Sequence, residues 1–244
     1  MRRLSFAVVA AIALVAPQAA NAELDKFAAL DADYTHTTAG LGASNTFSGG
    51  GSALLAYDRF NFQFDASDAR SGSGRTASTT AVFDGDFFWR GREGTFGVSV
   101  GRSLFHAGSH NANATGYGLF GEWYATHNLT LALKGGAVSG FDSGRYGDID
   151  ARLYILPNLA VHTGYNYTAV SGASTSDFGV GIEYLLARQA PLSLVAAYDH
   201  ASRNGGGLSI NTFNVGFRYR FGVTGILVNL DRTGPIAWNG LPQP

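Results

Sequence analysis

The chain has 244 residues, 17 basic and 18 acidic side chains, a formal net charge of −1, and no cysteine. That length suits about one domain, and the composition excludes disulfides, thiol chemistry and a polycation for nucleic acid. Glycine and aromatic residues are abundant, methionine occurs once, and no proline lies between Glu23 and Leu156, which favours tightly packed β-structure over a helical domain.

In chain order, Arg2 and Arg3 precede an apolar run over 4–16, which Pro17 and Gln18 end; Ala20-Asn21-Ala22 follows. A basic start, a short apolar run and small residues at the cleavage positions are the layout of a secretory signal peptide. The run is too short for a membrane-spanning helix, which needs about 20 residues. The expectation is an exported chain, cleaved after residues 1–22 and beginning at Glu23. Without Arg2 and Arg3, 15 basic residues face 18 acidic ones, a net of −3. Mean hydropathy is +0.03. A membrane barrel, whose strands alternate lipid-facing and lumen-facing residues, averages near zero just as a soluble protein does.

Alternation of apolar and polar residues, bounded by turn residues, marks strands. Twelve such stretches follow, at 27–37, 47–57, 59–67, 79–90, 95–104, 115–126, 129–139, 147–156, 159–169, 176–186, 192–200 and 213–221. In the third, Phe60, Phe62 and Phe64 alternate with Asn61, Gln63 and Asp65. In the tenth, Phe178, Val180, Ile182, Tyr184 and Leu186 alternate with Asp177, Gly179, Gly181 and Glu183. The twelfth, FNVGFRYRF, sets Phe213, Val215, Phe217, Tyr219 and Phe221 on one face and Asn214, Gly216, Arg218 and Arg220 on the other. Short connections are expected near Asp58, 91–94, 127–128, 157–158 and 187–191. Longer ones, rich in glycine, serine and asparagine, are expected at 38–46, 67–76, 105–114, 140–146, 170–175 and 201–209. Pro157 and Pro191 both fall in expected short turns, where a missing amide donor does least harm.

An even number of strands, with short turns at one end and longer loops at the other, is the plan of a bacterial outer-membrane barrel. The fold expected is all-β: a closed antiparallel transmembrane β-barrel of about 12 strands (range 10–14), connected as an up-and-down meander. A soluble β-sandwich or lectin also alternates, but it hides aliphatics in a dry core. Here the apolar face is aromatic and the opposite face carries Asp, Glu, Arg and many glycines, which does not suit a dry core.

Over roughly 27–221 the chain resembles small outer-membrane β-barrels of the porin-like superfamily from Gram-negative bacteria, most specifically in FNVGFRYRF, which is similar to the family's closing strand. The resemblance implies residence in the bacterial outer membrane, contact with its lipid, and biogenesis through periplasmic chaperones and the barrel-assembly machinery. It also implies that Phe213, Phe217, Tyr219 and Phe221 form the assembly signal, with Phe221 as the recognition residue. Family members usually stop at that aromatic. This chain runs on to Pro244 with Pro235, Pro242 and Pro244 in its tail, so 222–244 is read as a periplasmic extension or partial plug, in which 226–230 could add a short strand.

The face opposite the aromatics carries Asp31, Asp33, Asp65, Asp84, Asp86, Glu122, Lys134, Asp148, Asp150, Arg152, His162, Glu183, Asp199, Arg218 and Arg220, the candidate lumen-lining set. Charges at membrane depth must pair or line water. Turn geometry suggests Glu122 opposite Lys134, Arg152 opposite His162, and, on closure of the last strand against the first, Arg218 near Asp31. Small inward residues such as Gly97, Gly101, Gly118, Gly164, Gly179 and Gly181 leave room for water or, alternatively, relieve crowding in the wall.

Eight-stranded barrels are filled by side chains and 16-stranded porins are wide channels. Twelve strands with this lining point to a narrow, porin-like passage for small hydrophilic solutes, weakly cation-preferring, with no cofactor, metal or catalytic residue. The competing readings are a plugged structural or surface-interaction barrel and, less favoured, a lipid-modifying acyl hydrolase. The hydrolase would draw on Ser109-His110-Asn111 or Asp199-His200-Ala201-Ser202. Oligomeric state is not specified, since a lipid-facing surface and a subunit interface are both apolar.

Overall fold

A computed structural model describes residues 24–40, 42–72, 77–140, 143–187, 189, 191–204 and 208–236. The expected signal peptide lies outside these residues, as do 237–244 of the tail. The described residues hold twelve strands: β1 (Leu24–Ala39), β2 (Gly42–Tyr57), β3 (Phe60–Ser71), β4 (Ser78–Arg90), β5 (Gly94–Ala107) and β6 (His110–Thr126), then β7 (Leu129–Gly140), β8 (Gly144–Leu156), β9 (Leu159–Val170), β10 (Ala173–Ala187), β11 (Leu192–Asn204) and β12 (Leu208–Phe221). Each pairs antiparallel with its sequence neighbours, and β12 closes on β1, giving an up-and-down barrel.

The alternation sets which face looks out. Leu30, Phe62, Phe87, Val98, Leu119, Leu133, Ile149, Tyr165, Ile182 and Phe217 are all exposed despite being large and apolar. Each occupies the outward parity of its strand, so the barrel wears a continuous apolar belt, the surface a lipid bilayer demands. Phe213, Phe217 and Phe221 lie on it, and Tyr219 packs edge-on against Phe221 at 4.5 Å between ring centroids. Among the described strands none is left with an unpaired edge, because closure removes it.

The strands run further than the alternation suggests, mostly toward the end opposite the chain termini, while β1 also begins three residues earlier, at Leu24. Two of the expected long loops are tight turns, Gly108-Ser109 between β5 and β6 and Ser171-Gly172 between β9 and β10. Ser171 and Gly172 both have positive φ (48° and 83°), the conformation that matches a two-residue hairpin to strand twist. Polar cross-strand pairs hold these extensions together. His36 Nδ1 contacts Asn45 Oδ1 at 2.7 Å, His200 Nδ1 contacts Asn211 Oδ1 at 2.8 Å, and Asn204 donates to Ser174 at 3.1 Å. Beyond the apolar belt both faces are polar, so no hydrophobic alternation marks them as strand.

The tail also departs from expectation. Instead of a short strand at 226–230, residues Leu227–Thr233 form a helix, α1. Leu227 and Leu230 are fully buried, one helical turn apart, and pack with Tyr154, Ala160, Leu185, Val223 and Val228. Ile236 continues inward to Leu54, Phe88 and Phe120. The strand residues among these partners, Tyr154, Ala160, Leu185, Leu54, Phe88 and Phe120, face inward toward the short-turn end, so α1 and the residues after it lie across that end of the barrel.

Candidate functional site: the barrel interior

All fifteen charged residues expected on the inner wall have the parity opposite to the apolar belt, and none is exposed. Asp84, Asp86, Lys134, Glu183 and Arg220 are buried. Asp31, Asp33, Asp65, Glu122, Asp148, Asp150, Arg152, His162, Asp199 and Arg218 are half-buried.

They fall into groups at different depths. Nearest the short-turn end, the Arg220 guanidinium donates to Glu183 at 2.7 Å, to Ser193 at 3.2 Å and to Asp231 of α1 at 2.7 Å. Arg152 and the Tyr154 hydroxyl donate to the other oxygen of Asp231, at 3.0 and 3.1 Å. Arg218 bridges Asp31 at 2.6 Å and Glu183 at 3.3 Å. Arg232 reaches the Thr126 and Leu129 carbonyls at 2.8 and 3.1 Å, and its guanidinium lies over the Tyr124 ring at 4.6 Å. Arg90 donates to the Thr233 and Gly234 carbonyls. Gln63 and the Ile236 backbone exchange two hydrogen bonds, both 2.8 Å. The tail is thus fixed by charge-assisted and backbone bonds as well as by Leu227 and Leu230.

Around the circumference two arcs of the wall differ. On β4–β7 the inward side chains touch one another. Phe88 and Phe120 meet edge-to-face at 5.8 Å, Val82 packs with Ala114, Val138 and Tyr146, and Lys134 crosses from β7 to Asp84 on β4 at 3.5 Å. A Cβ on Gly97 would collide with Phe88 and Phe120, and one on Gly118 would fall 2.7 Å from the Gly135 carbonyl oxygen and also against the Tyr146 hydroxyl. These two glycines relieve crowding and do not hold space for water.

From β8 through β12 to β1 the inward polar side chains lie against glycines and keep part of their surface exposed. Asp33, Asp199 and His162 lie flat over Gly216, Gly179 and Gly181 of the neighbouring strands, where a Cβ would strike each polar side chain. The polar groups therefore hug the wall instead of projecting to the axis. Arg218 and Asp31 keep 20% and 24% of their side-chain surface exposed, although they sit close to α1, whereas Lys134 on the other arc keeps 3%. On the inner face of a closed wall, that exposure comes from the interior space.

Two of the three sequence-derived pairings stand: Arg152 is opposite His162 and Asp31 is opposite Arg218. The third does not. Glu122 pairs with Ala132, and Lys134 with Phe120, because β6 and β7 join through a two-residue turn at His127-Asn128 and a bulge between Trp123 and Thr126 shifts the register.

The sequence reading left Gln63, Arg90, Tyr154, Asp231 and Arg232 out of the lining set, yet all five bond across the tail contact. The spacing of Leu227, Leu230 and Asp231 at i, i+3 and i+4 was the available signal, masked by reading a five-residue apolar run as strand. His200, one of the residues a hydrolase would use, contacts Asn211, not a serine.

No protein-family profile matches the chain, and no curated protein matches it in sequence. Solved structures do match in fold. The NanC porin is similar at 10% identity and a TM-score of 0.57, over 78% of this chain and 98% of that one. The KdgM porin in complex with disordered oligogalacturonate gives 15% identity and 0.54 over the same shares. A deletion mutant of the TodX monoaromatic hydrocarbon channel gives 11% and 0.51, over 82% of this chain and 90% of that one. The shared feature is the closed β-barrel fold.

Proposed function

We propose that this protein is a narrow, porin-like channel for small hydrophilic solutes in the outer membrane of a Gram-negative bacterium. The observation that carries the reading is the wet arc: inward polar residues with exposed surface run from Asp199 and Asp33 down to Asp31 and Arg218. The apolar belt supports the membrane location, and the barrel's likeness in fold to small porins and a hydrocarbon channel supports the class. Passage down a gradient needs no cofactor and no catalytic group. The barrel only removes the bilayer as an obstacle. Acidic groups dominate the upper part of the wet arc, with Asp33, Asp148, Asp150, Asp177 and Asp199, so cations are favoured over anions. The export leader ending at Ala22, the lumen-lining role of the fifteen charged residues and the assembly role of Phe213, Phe217, Tyr219 and Phe221 belong to this reading. An N-terminal sequence beginning at Glu23 in the membrane-inserted protein, and a reduced membrane yield for Phe221→Ala, are the expected results for the first and last.

The test is conductance of the refolded mature chain in a planar bilayer, where discrete cation-favouring steps are expected. A silent barrel, or one favouring anions, would overturn the reading. One observation favours a second reading: α1 crosses the short-turn end and is held by Arg152, Arg220 and Arg90, while Gln63 holds Ile236 just beyond it. If the full chain is silent and removal of 222–244 opens it, the barrel is a plugged one.

A further inference from the structure

The outward face is charged very differently from the inward one. Among the described residues in its strands, the cationic or titratable basic positions on the outward parity toward the loop end are His36, Arg70, Arg102, His106, Arg145 and His200, all exposed. The single acidic position there is Asp68, which is engaged by Arg70 at 3.1 Å. The inward face carries the opposite excess.

These groups form patches. Arg70, Thr79, His106 and Asn111 occupy one continuous cross-strand row on β3–β6, with His106 against Asn111 at 2.5 Å. Arg102 stands four residues deeper on β5, in the outward column it shares with Val100 and Leu104. On the other side Arg145 borders a shallow depression of about 560 Å³ that Tyr167, Ser143, Ser171 and Ser174 also line. On β4 and β5 Thr79 stands four residues above the exposed Phe83, and His106 and Arg102 alternate with the exposed Leu104 and Val100; on β8 Arg145 stands four residues above the exposed Ile149. A phosphate attached to acyl chains satisfies both halves of such a surface: the chains lie on the belt, and the phosphate accepts from the arginines. A soluble anion would leave the apolar half unused, and a protein partner would have to bring its own acidic apolar face.

We propose that the loop-end rim binds phosphorylated lipid of the surrounding leaflet, at Arg70, Arg102 and His106 on one side and at Arg145 on the other. The proposal rests on the membrane location given above and not on the lumen conducting.

The test uses the mature full-length chain in two sets of nanodiscs of phosphatidylcholine, one carrying diphosphorylated lipid A and the other its dephosphorylated form. Bound lipid is counted by native mass spectrometry after transfer to detergent. Wild type is expected to retain the phosphorylated lipid and not the other. R102Q and R145Q, both at exposed positions, are each expected to lower retention about fivefold, with conductance unchanged. Equal retention of both lipids, unchanged retention in both variants, or displacement of the lipid by millimolar inorganic phosphate would each overturn the assignment. A chain that enters neither disc overturns the membrane location along with it. One that enters both discs and retains both lipids alike overturns this inference alone.

Discussion

On the arc β4–β7 the inward side chains pack against one another, whereas from β8 round to β1 polar side chains lie against glycines and keep exposed surface. Both arcs use the same residue types. Glycine makes room for the Phe88 and Phe120 rings at Gly97, and room for an acidic or imidazole side chain at Gly216, Gly179 and Gly181. Carboxylates occur on both, but Asp84 is bridged by Lys134 across two strands and Asp86 is fully buried, while Asp33 and Asp199 keep exposed surface. A count of inward glycines therefore does not measure the open cross-section. What decides is whether the space each glycine frees is taken by a ring from the same arc.

The largest expected effect lies on the filled arc. Phe120 is 2% exposed and meets Phe88 and Ile236, so Phe120→Ala should cost about 3–5 kcal/mol in urea unfolding from lipid vesicles. A cost below about 1 kcal/mol would mean that the arc is not packed. Next is the joint between the arcs and the tail. Asp231→Ala leaves Arg152 without its short acidic contact and Arg220 with Glu183 as its remaining carboxylate. About 3 kcal/mol of tail docking should be lost, read as faster protease cleavage beyond Phe221 and a larger conductance. Unchanged protection would show that Leu227 and Leu230 hold the tail without the ion pairs. Smaller again is Gly118→Ala, which forces a methyl against the Gly135 carbonyl and the Tyr146 hydroxyl and should cost about 1–3 kcal/mol. The same substitution at Gly164, whose Cβ would stand 3.3 Å from an Asp150 oxygen and 3.5 Å from a carbonyl, should be milder, because that side chain has space to move.

Strand number, facing and closure were legible because one face of every strand meets lipid and the other does not, so period-two alternation persists through the belt. That single constraint also placed all fifteen charged residues on the inner wall and paired Arg152 with His162 across the Pro157 turn. It failed where the constraint ends. Above the belt both faces are polar, and strands held by His36–Asn45 or His106–Asn111 pairs read as loops. Register across β6 and β7 failed for another reason, since a bulge after Trp123 leaves no compositional mark. The helix at Leu227–Thr233 is seven residues long and borrows its stability from the barrel, so its own periodicity is too short to be distinctive. Which arc is filled was not legible at all, because it depends on contacts between strands that are not neighbours.

The smallest effect on stability should come from the wet arc, and there it separates the two arcs most sharply. Asp199 is half-buried, lies over Gly179, and shares the upper wall with Asp177. Its carboxylate is not among the ion-paired ones, so Asp199→Asn should change stability by no more than about 0.5 kcal/mol. Its charge nevertheless acts on any ion moving along the arc. At about 7 Å in a water-like medium one charge favours a cation and disfavours an anion by about 0.6 kcal/mol each, so the cation-over-anion permeability ratio at low salt should fall by up to about sevenfold. The difference should fade near 1 M salt, where the screening length is about 3 Å. Asp86→Asn on β4 is the control: the same chemical change on an inward residue with no exposed surface. Reversal potentials should move for Asp199→Asn and stay for Asp86→Asn. Equal shifts would mean that ions reach both walls, and the division of the interior into a packed arc and a conducting arc would not hold.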